Sequence, residues 1–302
     1  MRVAIVHDWL TGMRGGEKVL EVFCEMFPKA DIYTLVHVPG KVSPLIEEHE
    51  ITASFINRWP FAWRRHQIFL PFFPLAVESF DLSGYELILS SSHCVAKGAL
   101  SRATSCHICY CHTPMRYAWV FPELYKRAAR PNFIMGPLFS LILEYLRRWD
   151  VASAARPNDY IANSHNVRRR IERYYGKGAV VIHPPVDSDF FVPDGGEADD
   201  YWLLLSAMVP YKDLDKAIEA FNESGRSLHV VGDGPERMRL EKMAKDNVLF
   251  FSWLEREDLR RKLQRSRRLV FPGEEDFGIT PLEANACGRP VVALGKGGVL
   301  ES

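Results

Sequence analysis

The sequence LVFPGEEDFGITPLEANACG, residues 269–288, shows the pattern from which we predict the fold. It begins with the apolar run LVF, which Pro272 and Gly273 end. Thr280 followed by Pro281 is typical of a helix N-cap with proline at the first helical position, so we predict that a helix begins at Thr280. A strand, a short turn and a helix in succession are the repeating unit of α/β proteins.

The same alternation of short apolar runs and helical patterns extends over the whole chain. The apolar runs are RVAIVHD, IYTLV, ELILSSS, HICYCH, DYIANS and VVIHPP, and then WLLLSA, LHVVGDG, VLFFSW, LVFPG and PVVAL. Such alternation is typical of parallel sheets with crossover helices. Because it occurs twice, we predict two Rossmann-like α/β domains, in agreement with a length of 302 residues and an apolar content of 47%.

Between the two sets of runs lies HPPVDSDFFVPDGGEADD, residues 183–200, which is rich in Pro, Gly and Asp. It predicts an interdomain linker, so we place one domain at residues 1–192 and the other at residues 193–302. Ligands of open α/β sheets bind beyond the carboxyl ends of the strands. Two such domains facing each other would form a cleft lined by those loops, and we expect the functional residues there.

Composition and charge exclude several classes of protein. Lys and Arg together number 38, as do Asp and Glu, so no net charge attracts nucleic acid and we predict no such partner. The N-terminus, MRVAIVHDWL, begins with a strand-like run and lacks the features of a secretory signal, from which we expect a cytosolic protein. No apolar stretch reaches the roughly 20 residues of a spanning helix.

Two patterns have the residue types of a metal site. The cluster CHICYCH, residues 106–112, has no second ligand pair at zinc-finger spacing and alternates like a strand. The Asp-x-Asp triplets at residues 187–189 and 213–215 lie where turns and helix N-caps favour aspartate. We therefore predict reduced cysteines and no metal.

Residues 55–77, FINRWPFAWRRHQIFLPFFPLAV, interleave aromatic with basic side chains. This combination suits a membrane interface or a lipid-linked acceptor, and it predicts a peripheral contact with the inner face of the membrane. The alternative is a core helix with a solvated basic face, although prolines break its amphipathic period. The sequence leaves both interpretations open.

The turn before Thr280 places carboxylates beside an anion site. The free N–H groups and the positive dipole end of the helix would bind phosphate, and Gly278 permits close approach of the backbone. Glu283 is either a ligand residue or the third helical residue of a Thr-x-x-Glu capping box; Glu275 has no such structural role. Because carboxylates bind vicinal hydroxyls and repel phosphate, the layout fits a nucleoside-diphosphate sugar.

Further motifs accompany this acid pair, namely SAMVPYKDLDKAIEAF, VVGDGPE, ANSHNVRRRI and IHPPVDSDFF. Together with EDFGITPLE they resemble the family 4 retaining glycosyltransferases, which have the GT-B fold. Within that family, HDWLTGMRGGEKVLE and CHTPMRYAW resemble the mannosyltransferases of O-antigen and exopolysaccharide assembly. The resemblance covers nearly the whole chain. Because relatives continue with further helices after the loop GKGGVLES, it also implies a second domain that is incomplete at its C-terminus.

The resemblance implies transfer of a hexose, which we expect to be mannose from GDP-mannose, to a lipid-linked or glycan acceptor with retention and without metal. No cofactor is implied beyond the nucleotide sugar as co-substrate. Glu283 would hold the ribose diol and Glu275 a hydroxyl of the transferred sugar. The sugar and diphosphate would receive backbone amides from Phe277, Gly278 and Ile279, at the helix end of Thr280.

Lys212 follows the run WLLLSA, where a cation can neutralise the departing diphosphate; the alternative is a solvated loop lysine. The family usually has an arginine five residues earlier, where this chain has Ala207. Arg14 is one candidate for its replacement. Ala207 is one reason to keep a non-catalytic nucleotide-sugar-binding subunit as an alternative, and a nucleotide-sugar 2-epimerase of the same fold is another.

Three more candidates lie in the first half. Gly15 and Gly16 in MRGGEK open a helix and would let backbone N–H groups reach the diphosphate, or they simply form a turn. His112 ends the strand HICYC and by resemblance contacts the donor sugar; the alternative is a histidine bonded to local carbonyls. Asp8 follows the first strand and would bind acceptor hydroxyls or cap a helix.

Overall fold

The structure is a computed structural model that describes residues 1–120 and 135–302. The chain divides into two compact units, Met1–Pro185 and Val186–Ser302. The division lies within the predicted linker, at residue 185 rather than 192. The reason is packing, because Phe191 is buried against Tyr201 and Leu203 and so belongs with the second core.

The first unit contains a seven-stranded sheet in which every pairing is parallel. Its strands are β1 (Val3–His7), β2 (Asp31–Thr34), β3 (Ile51–Ala53), β4 (Leu87–Ser92), β5 (Cys106–Cys111), β6 (Asp159–Ala162) and β7 (Val180–Val181). They lie in the order β3-β2-β1-β4-β5-β6-β7. The strand order reverses between β1 and β4, and loops at the carboxyl ends of such neighbours form the ligand crevice of doubly wound sheets.

Helices and short 3₁₀ turns cover the first sheet. The α-helices are α1 (Gly15–Met26), α2 (Pro44–Glu47), α3 (Ala62–Arg65), α4 (Phe73–Glu78), α5 (Arg116–Trp119), α6 (Met135–Ser153) and α7 (His165–Tyr175), and the 3₁₀ turns are Phe55–Arg58, His66–Phe72 and Ala96–Gly98. β1 is buried on both faces, with Val6 in one core and Ile5 in the other. A central parallel strand is therefore apolar throughout, as the run VAIV predicts.

The second unit contains a five-stranded parallel sheet in the order β10-β9-β8-β11-β12. Its strands are β8 (Trp202–Leu205), β9 (Leu228–Val231), β10 (Val248–Phe251), β11 (Arg268–Phe271) and β12 (Val291–Ala293). Its α-helices are α8 (Leu214–Ser224), α9 (Arg237–Met243), α10 (Arg256–Arg265) and α11 (Ile279–Ala286), with 3₁₀ turns at Pro210–Lys212 and Gly298–Glu301. The predicted pair of Rossmann-like α/β domains is confirmed.

Two general findings hold for the described part of the chain. None of its helices is long and apolar enough to cross a membrane. No group of three or more histidine, cysteine or acidic side chains is arranged there to hold a metal ion.

Candidate functional site

In the second unit, two loops bring Lys212 and Glu275 into contact. β8 pairs with β11, so the loops that follow these strands leave the sheet side by side. The Lys212 ammonium and the Glu275 carboxylate form an ion pair, and their side chains are only 15% and 13% exposed. The structure thus joins two residues that the sequence separates widely, and it fixes a cation at the carboxyl edge of the sheet.

Glycines allow these loops to approach each other through their backbones. A Cβ atom on Gly273 would lie 2.9 Å from the carbonyl oxygen of Lys212, and one on Gly298 would lie 2.0 Å from that of Asp276. The Gly298 N–H also donates to the Glu275 carbonyl oxygen at 2.8 Å. Because side chains would clash at both positions, the geometry around Glu275 depends on glycine.

The helix in the opening motif begins one residue earlier than predicted. α11 begins at Ile279, and its N-cap is Gly278 with φ of 100°, so the predicted N-cap at Thr280 is wrong. The left-handed conformation, which glycine adopts at low cost, turns the chain into the helix before Thr280. Glu283 then lies beyond the third helical position, so the capping-box explanation for it is also wrong. Its side chain is half-buried on this helix.

The remaining residues predicted to bind the sugar and diphosphate lie at the start of α11. Phe277 is buried, and Gly278, Ile279 and Thr280 are half-buried. No side chain of the N-cap residue bonds to the first amides of α11, since that residue is glycine. The amides of a helix N-terminus lack partners within the helix, so this end has the chemistry expected for an anion.

Ala207 occupies the position at which family members usually have an arginine, so this chain has no cation there. It lies between β8 and the turn Pro210–Lys212, and its carbonyl oxygen accepts the Ser206 hydroxyl at 3.2 Å. Arg14 is the exposed N-cap residue of α1 in the first unit and has no ion-pair partner within the described ranges. Its role as a replacement stays a prediction.

In the first unit, Gly16 and His112 lie side by side. Gly15 and Gly16 begin α1, which follows β1. A Cβ atom on Gly16 would lie 3.6 Å from Cε1 of His7 and 3.7 Å from Nε2 of His112. The first turn of α1 is therefore adjacent to both imidazoles.

His112 follows β5 and is held through side chain and backbone. Its Nε2 atom is 2.8 Å from Oγ of Ser91, and its carbonyl oxygen accepts from Asn163 at 3.0 Å. Burial lowers the pKa of His112 to about 3, and the nearby imidazoles of His93 and His7 add to this shift. The ring is therefore neutral in ordinary buffers and suited to hydrogen bonding rather than to charge stabilisation.

Sequence reasoning missed three polar side chains in the surroundings of His112, of which Ser91 bonds to it directly. His7 is the last residue of β1, Ser91 lies near the end of β4, and Glu17 lies in the first turn of α1. Nδ1 of His7 is 3.0 Å from Oγ of Ser91. The signal was available, because residues at the ends of neighbouring parallel strands meet at one edge of a sheet.

Asp8 proves to be structural. It is fully buried, and its two carboxylate oxygens accept four backbone N–H groups, those of His93, Cys94, Val95 and Ala96, at 2.7–2.9 Å. Burial alone would raise the pKa of Asp8, but His93 and these hydrogen bonds outweigh it and lower the pKa. Because a carboxylate has about four accepting positions, none remains for a sugar hydroxyl. The predicted acceptor contact is wrong, and capping of the turn before Ala96 is correct.

The aromatic and basic segment, residues 55–77, is partly core and partly surface. Its buried side chains include Ile56, Ala62, Leu70 and Phe73. Its exposed large apolar side chains are Phe61 (67%), Trp63 (55%), Ile68 (61%), Phe72 (47%) and Leu75 (59%). Its exposed basic side chains are Arg58, Arg64 and Arg65. We call these eight exposed residues the aromatic–basic surface.

Comparison with protein families gives two matches that together span most of the chain. Residues 13–190 match the family described as Glycosyltransferase Family 4, and residues 187–302 match Glycosyl transferases group 1. The first match extends over more than half of the sequence, and the change from one family to the other falls close to the division between the two compact units.

Curated relatives include several mannosyltransferases. The chain is 32% identical over 170 residues to the GDP-mannose-dependent alpha-(1-6)-phosphatidylinositol monomannoside mannosyltransferase of Mycolicibacterium smegmatis. The matched segment covers 46% of this chain and 44% of that protein. It is 28% identical over 174 residues to the O-antigen chain mannosyltransferase RfbU of Salmonella typhimurium, covering 53% and 47%. The matched part thus spans less than half of each relative.

Solved structures share the fold at low identity. The Anabaena protein HepE in complex with UDP-glucose has a TM-score of 0.69 at 16% identity, covering 100% of this chain and 82% of that chain. Sucrose-phosphate synthase of Thermosynechococcus elongatus has a TM-score of 0.69 at 17% identity, covering 99% and 82%. The two Rossmann-like units are those of GT-B glycosyltransferases.

Proposed function

This chain belongs to glycosyltransferase family 4, and we propose that it transfers mannose from GDP-mannose to a lipid-linked or glycan acceptor with retention at the anomeric carbon. The observation on which this rests is the contact between Lys212 and Glu275 beside the N-terminus of α11. The names of the similar mannosyltransferases, one of them GDP-mannose-dependent, support the choice of sugar and nucleotide.

The second unit would hold the nucleotide and the leaving group. As the glycosidic bond breaks, negative charge develops on the diphosphate, and Lys212 with the amides of Phe277, Gly278 and Ile279 would stabilise it. Glu283 would accept hydrogen bonds from the ribose diol. Glu275 would bind a hydroxyl of the sugar while it keeps the Lys212 ammonium in place.

The first unit would contribute to the sugar and the diphosphate. The backbone N–H groups of Gly15 and Gly16 belong to the first turn of α1, where they have no partner within the helix. His112 would contact the donor sugar near the reacting carbon. A phosphate oxygen of the leaving group would deprotonate the acceptor, so the mechanism we propose needs no protein base and no metal.

Nucleotide binding tests the donor assignment. A ligand at about a hundred times its dissociation constant adds about 2.7 kcal/mol to the free energy of unfolding, so we expect GDP-mannose to raise Tm more than UDP-glucose or ADP-glucose does. Glu283→Ala should abolish this rise. The control is Glu223→Ala, because Glu223 is an exposed glutamate on α8. If Tm is unchanged with all three nucleotide sugars, the donor assignment is wrong.

A non-catalytic subunit that binds nucleotide sugars is the second candidate, and Ala207 is the observation that favours it. Family members usually have an arginine at the position of Ala207, where it would add a second positive charge beside the leaving group. In this chain Lys212, which pairs with Glu275, is the cation that we assign to this role. The two candidates differ in turnover. Release of GDP from GDP-mannose in the presence of a membrane extract supports the transferase, whereas binding without release supports the subunit.

We also propose that the aromatic–basic surface contacts an anionic membrane that carries the acceptor. Aromatic rings suit the headgroup region, and arginines near the surface contribute about 1 kcal/mol each on anionic lipid. Trp63→Ser should weaken sedimentation with vesicles of phosphatidylglycerol and phosphatidylcholine, and Trp253→Ser should not. Trp253 is an apt control because it is 56% exposed in the other unit, against 55% for Trp63. Equal binding by both variants would contradict this contact.

A further inference from the structure

His93 follows β4 directly and lies at the carboxyl edge of the first sheet, where the strand order reverses. Its ring packs edge-on against the Trp9 ring with 4.3 Å between centroids, and its centroid is 6.3 Å from that of His112. The His93 side chain is 29% exposed, whereas the His7 side chain is fully buried. His93 therefore reaches the surface beside His112.

Asp8 determines which ring nitrogen of His93 always carries a proton. Nδ1 of His93 lies 3.1 Å from Oδ2 of Asp8. The two oxygens of Asp8 already accept four backbone N–H groups, so this carboxyl group is ionised and can only accept. A lone pair on Nδ1 would be repelled by the carboxylate at this distance. Nδ1 therefore carries a proton whether the ring is neutral or charged.

The other ring nitrogen of His93, Nε2, forms no hydrogen bond with any residue in the ranges 1–120 and 135–302. Burial lowers the pKa of His93, and the charges of Asp8 and Glu17, which raise it, do not overcome this effect. The ring is therefore neutral near neutral pH, so Nε2 has a lone pair. This nitrogen can accept a hydrogen bond from a ligand.

The position of His93 indicates which substrate it would meet. In the proposed function, His112 contacts the donor sugar near the reacting carbon, and the attacking hydroxyl must come within about 3–3.5 Å of that carbon. A ring 6.3 Å from that of His112 is therefore beside the acceptor substrate. Because the attacking hydroxyl gives its proton to a phosphate oxygen, the hydroxyl that donates to Nε2 must be a neighbouring one.

We propose that His93 binds a hydroxyl group of the acceptor substrate through Nε2, next to the hydroxyl that reacts, and that Asp8 positions its ring. The inference rests on the proposed function. It adds the residue and the nitrogen that bind the acceptor, and it specifies the acceptor as a sugar or polyol with vicinal hydroxyls. Asp8 itself does not touch the acceptor, because its oxygens bond to backbone amides.

His93→Asn isolates the contribution of Nε2. The amide nitrogen of asparagine can take the place of Nδ1 beside Asp8, whereas nothing takes the place of Nε2. His49→Asn is the matched control, because His49 is also half-buried in the first unit and its Nδ1 atom lies 2.8 Å from the Ala30 carbonyl oxygen. His49 precedes β3 and so lies at the opposite, amino edge of the sheet.

The direct test is the ¹⁵N chemical shift of the His93 ring nitrogens in the full chain, with the signals assigned by their loss in His93→Asn. We expect a protonated Nδ1 and an unprotonated Nε2 at neutral pH. Methyl α-mannoside, a probe with vicinal hydroxyls, should move the Nε2 signal to a saturating value in the presence of GDP and leave the His49 signals in place. A proton on Nε2, or an Nε2 signal that the probe does not move, would overturn the proposal.

Release of GDP from GDP-mannose separates binding of the acceptor from binding of the donor. In His93→Asn, the concentration of membrane extract that gives half-maximal release should rise by up to about tenfold, the effect of one lost hydrogen bond. The rise in Tm with GDP-mannose should be unchanged, and His49→Asn should match the wild type in both measurements.

An unchanged requirement for extract in His93→Asn, or loss of the rise in Tm, would contradict the assignment of His93 to the acceptor. If the wild type releases no GDP, the proposed transfer reaction fails. The response of Nε2 to methyl α-mannoside still decides in that case whether His93 binds a hydroxyl group.

Discussion

The candidate residues of the two units are held in place by different means. In the first unit, His7, Ser91 and His112 lie at the ends of neighbouring strands or directly after them, and buried side-chain hydrogen bonds fix them. In the second unit, Lys212 and Glu275 lie on loops whose backbones touch at glycines. The first arrangement should therefore be sensitive to loss of polar side chains, and the second to added side chains at glycine.

The largest effect should come from Lys212→Ala, which removes the cation of the second unit. We expect turnover of GDP-mannose to fall by about 100- to 1000-fold, roughly 3–4 kcal/mol, since preorganised charge opposite a developing anion contributes this much. The measurement is steady-state release of GDP.

Lys216→Ala is the control for Lys212→Ala, since Lys216 is 71% exposed and pairs with Asp213 at 3.1 Å. A second control is Lys212→Ala with Glu275→Ala, which removes the unpaired carboxylate and should regain stability without regaining turnover. Unchanged turnover in Lys212→Ala would remove the main support for the proposed leaving-group site.

Gly298→Ala tests whether backbone contact shapes the second unit. The new Cβ atom would lie 2.0 Å from the carbonyl oxygen of Asp276, so the loop must move, and we expect a loss of about 3 kcal/mol in the free energy of unfolding. Chemical denaturation measures it. Gly295→Ala is the control, because nothing lies within 4 Å of its Cβ position. Equal stability of the two variants would show that the loop contact is unimportant.

Buried histidine should make the first unit sensitive to acid. Burial lowers the pKa of His107 from 6.5 to about 4, with smaller contributions from Arg156 and Lys97. Below about pH 6.5 this histidine is protonated in the unfolded chain but stays neutral in the folded chain. The free energy of unfolding therefore falls as the pH decreases towards about 4. The contribution of His107 at about pH 5 should be roughly 2 kcal/mol.

His107→Gln isolates this effect, because glutamine can keep the hydrogen bond that His107 forms with Ser90 and does not titrate. The difference in unfolding free energy between wild type and variant should shift by that amount between about pH 7.5 and pH 5. The wild type must be compared with this variant at each pH, because burial also lowers the pKa of His66, His112 and His229 and so adds to the pH dependence of both proteins. A difference that does not change with pH would contradict a neutral buried His107.

The smallest change in stability should come from Gly16→Ala, which sharpens the contrast with Gly298. The added methyl group would meet His7 and His112 at ordinary contact distances of 3.6 Å and 3.7 Å. Alanine in a helix should therefore raise stability by about 0.5–1 kcal/mol, while the methyl group fills the space beside both rings and weakens binding of GDP-mannose. Gly178→Ala, with open space at its Cβ position, is the control. Unaltered binding would place the donor elsewhere.

Sequence patterns were sufficient to predict the fold. The apolar runs predicted the strands because a parallel strand is buried on both faces, and this signal is local. The start of α11 could not be predicted in the same way, since it depends on the φ angle of Gly278 rather than on the capping preference of Thr280. The role of Asp8 depended on four amide groups that lie far along the chain.

Two Rossmann-like domains, the glycosyltransferase family and a set of candidate residues could all be predicted from the amino-acid sequence, because periodicity and motifs are properties of residues close together along the chain. Three contacts could be seen only in the folded chain: the ion pair of Lys212 with Glu275, the bonds of Asp8 to backbone amides, and the bonds of Ser91 to His7 and His112. Each of these contacts depends on the order of strands in a sheet, and that order is set by the packing of the whole domain.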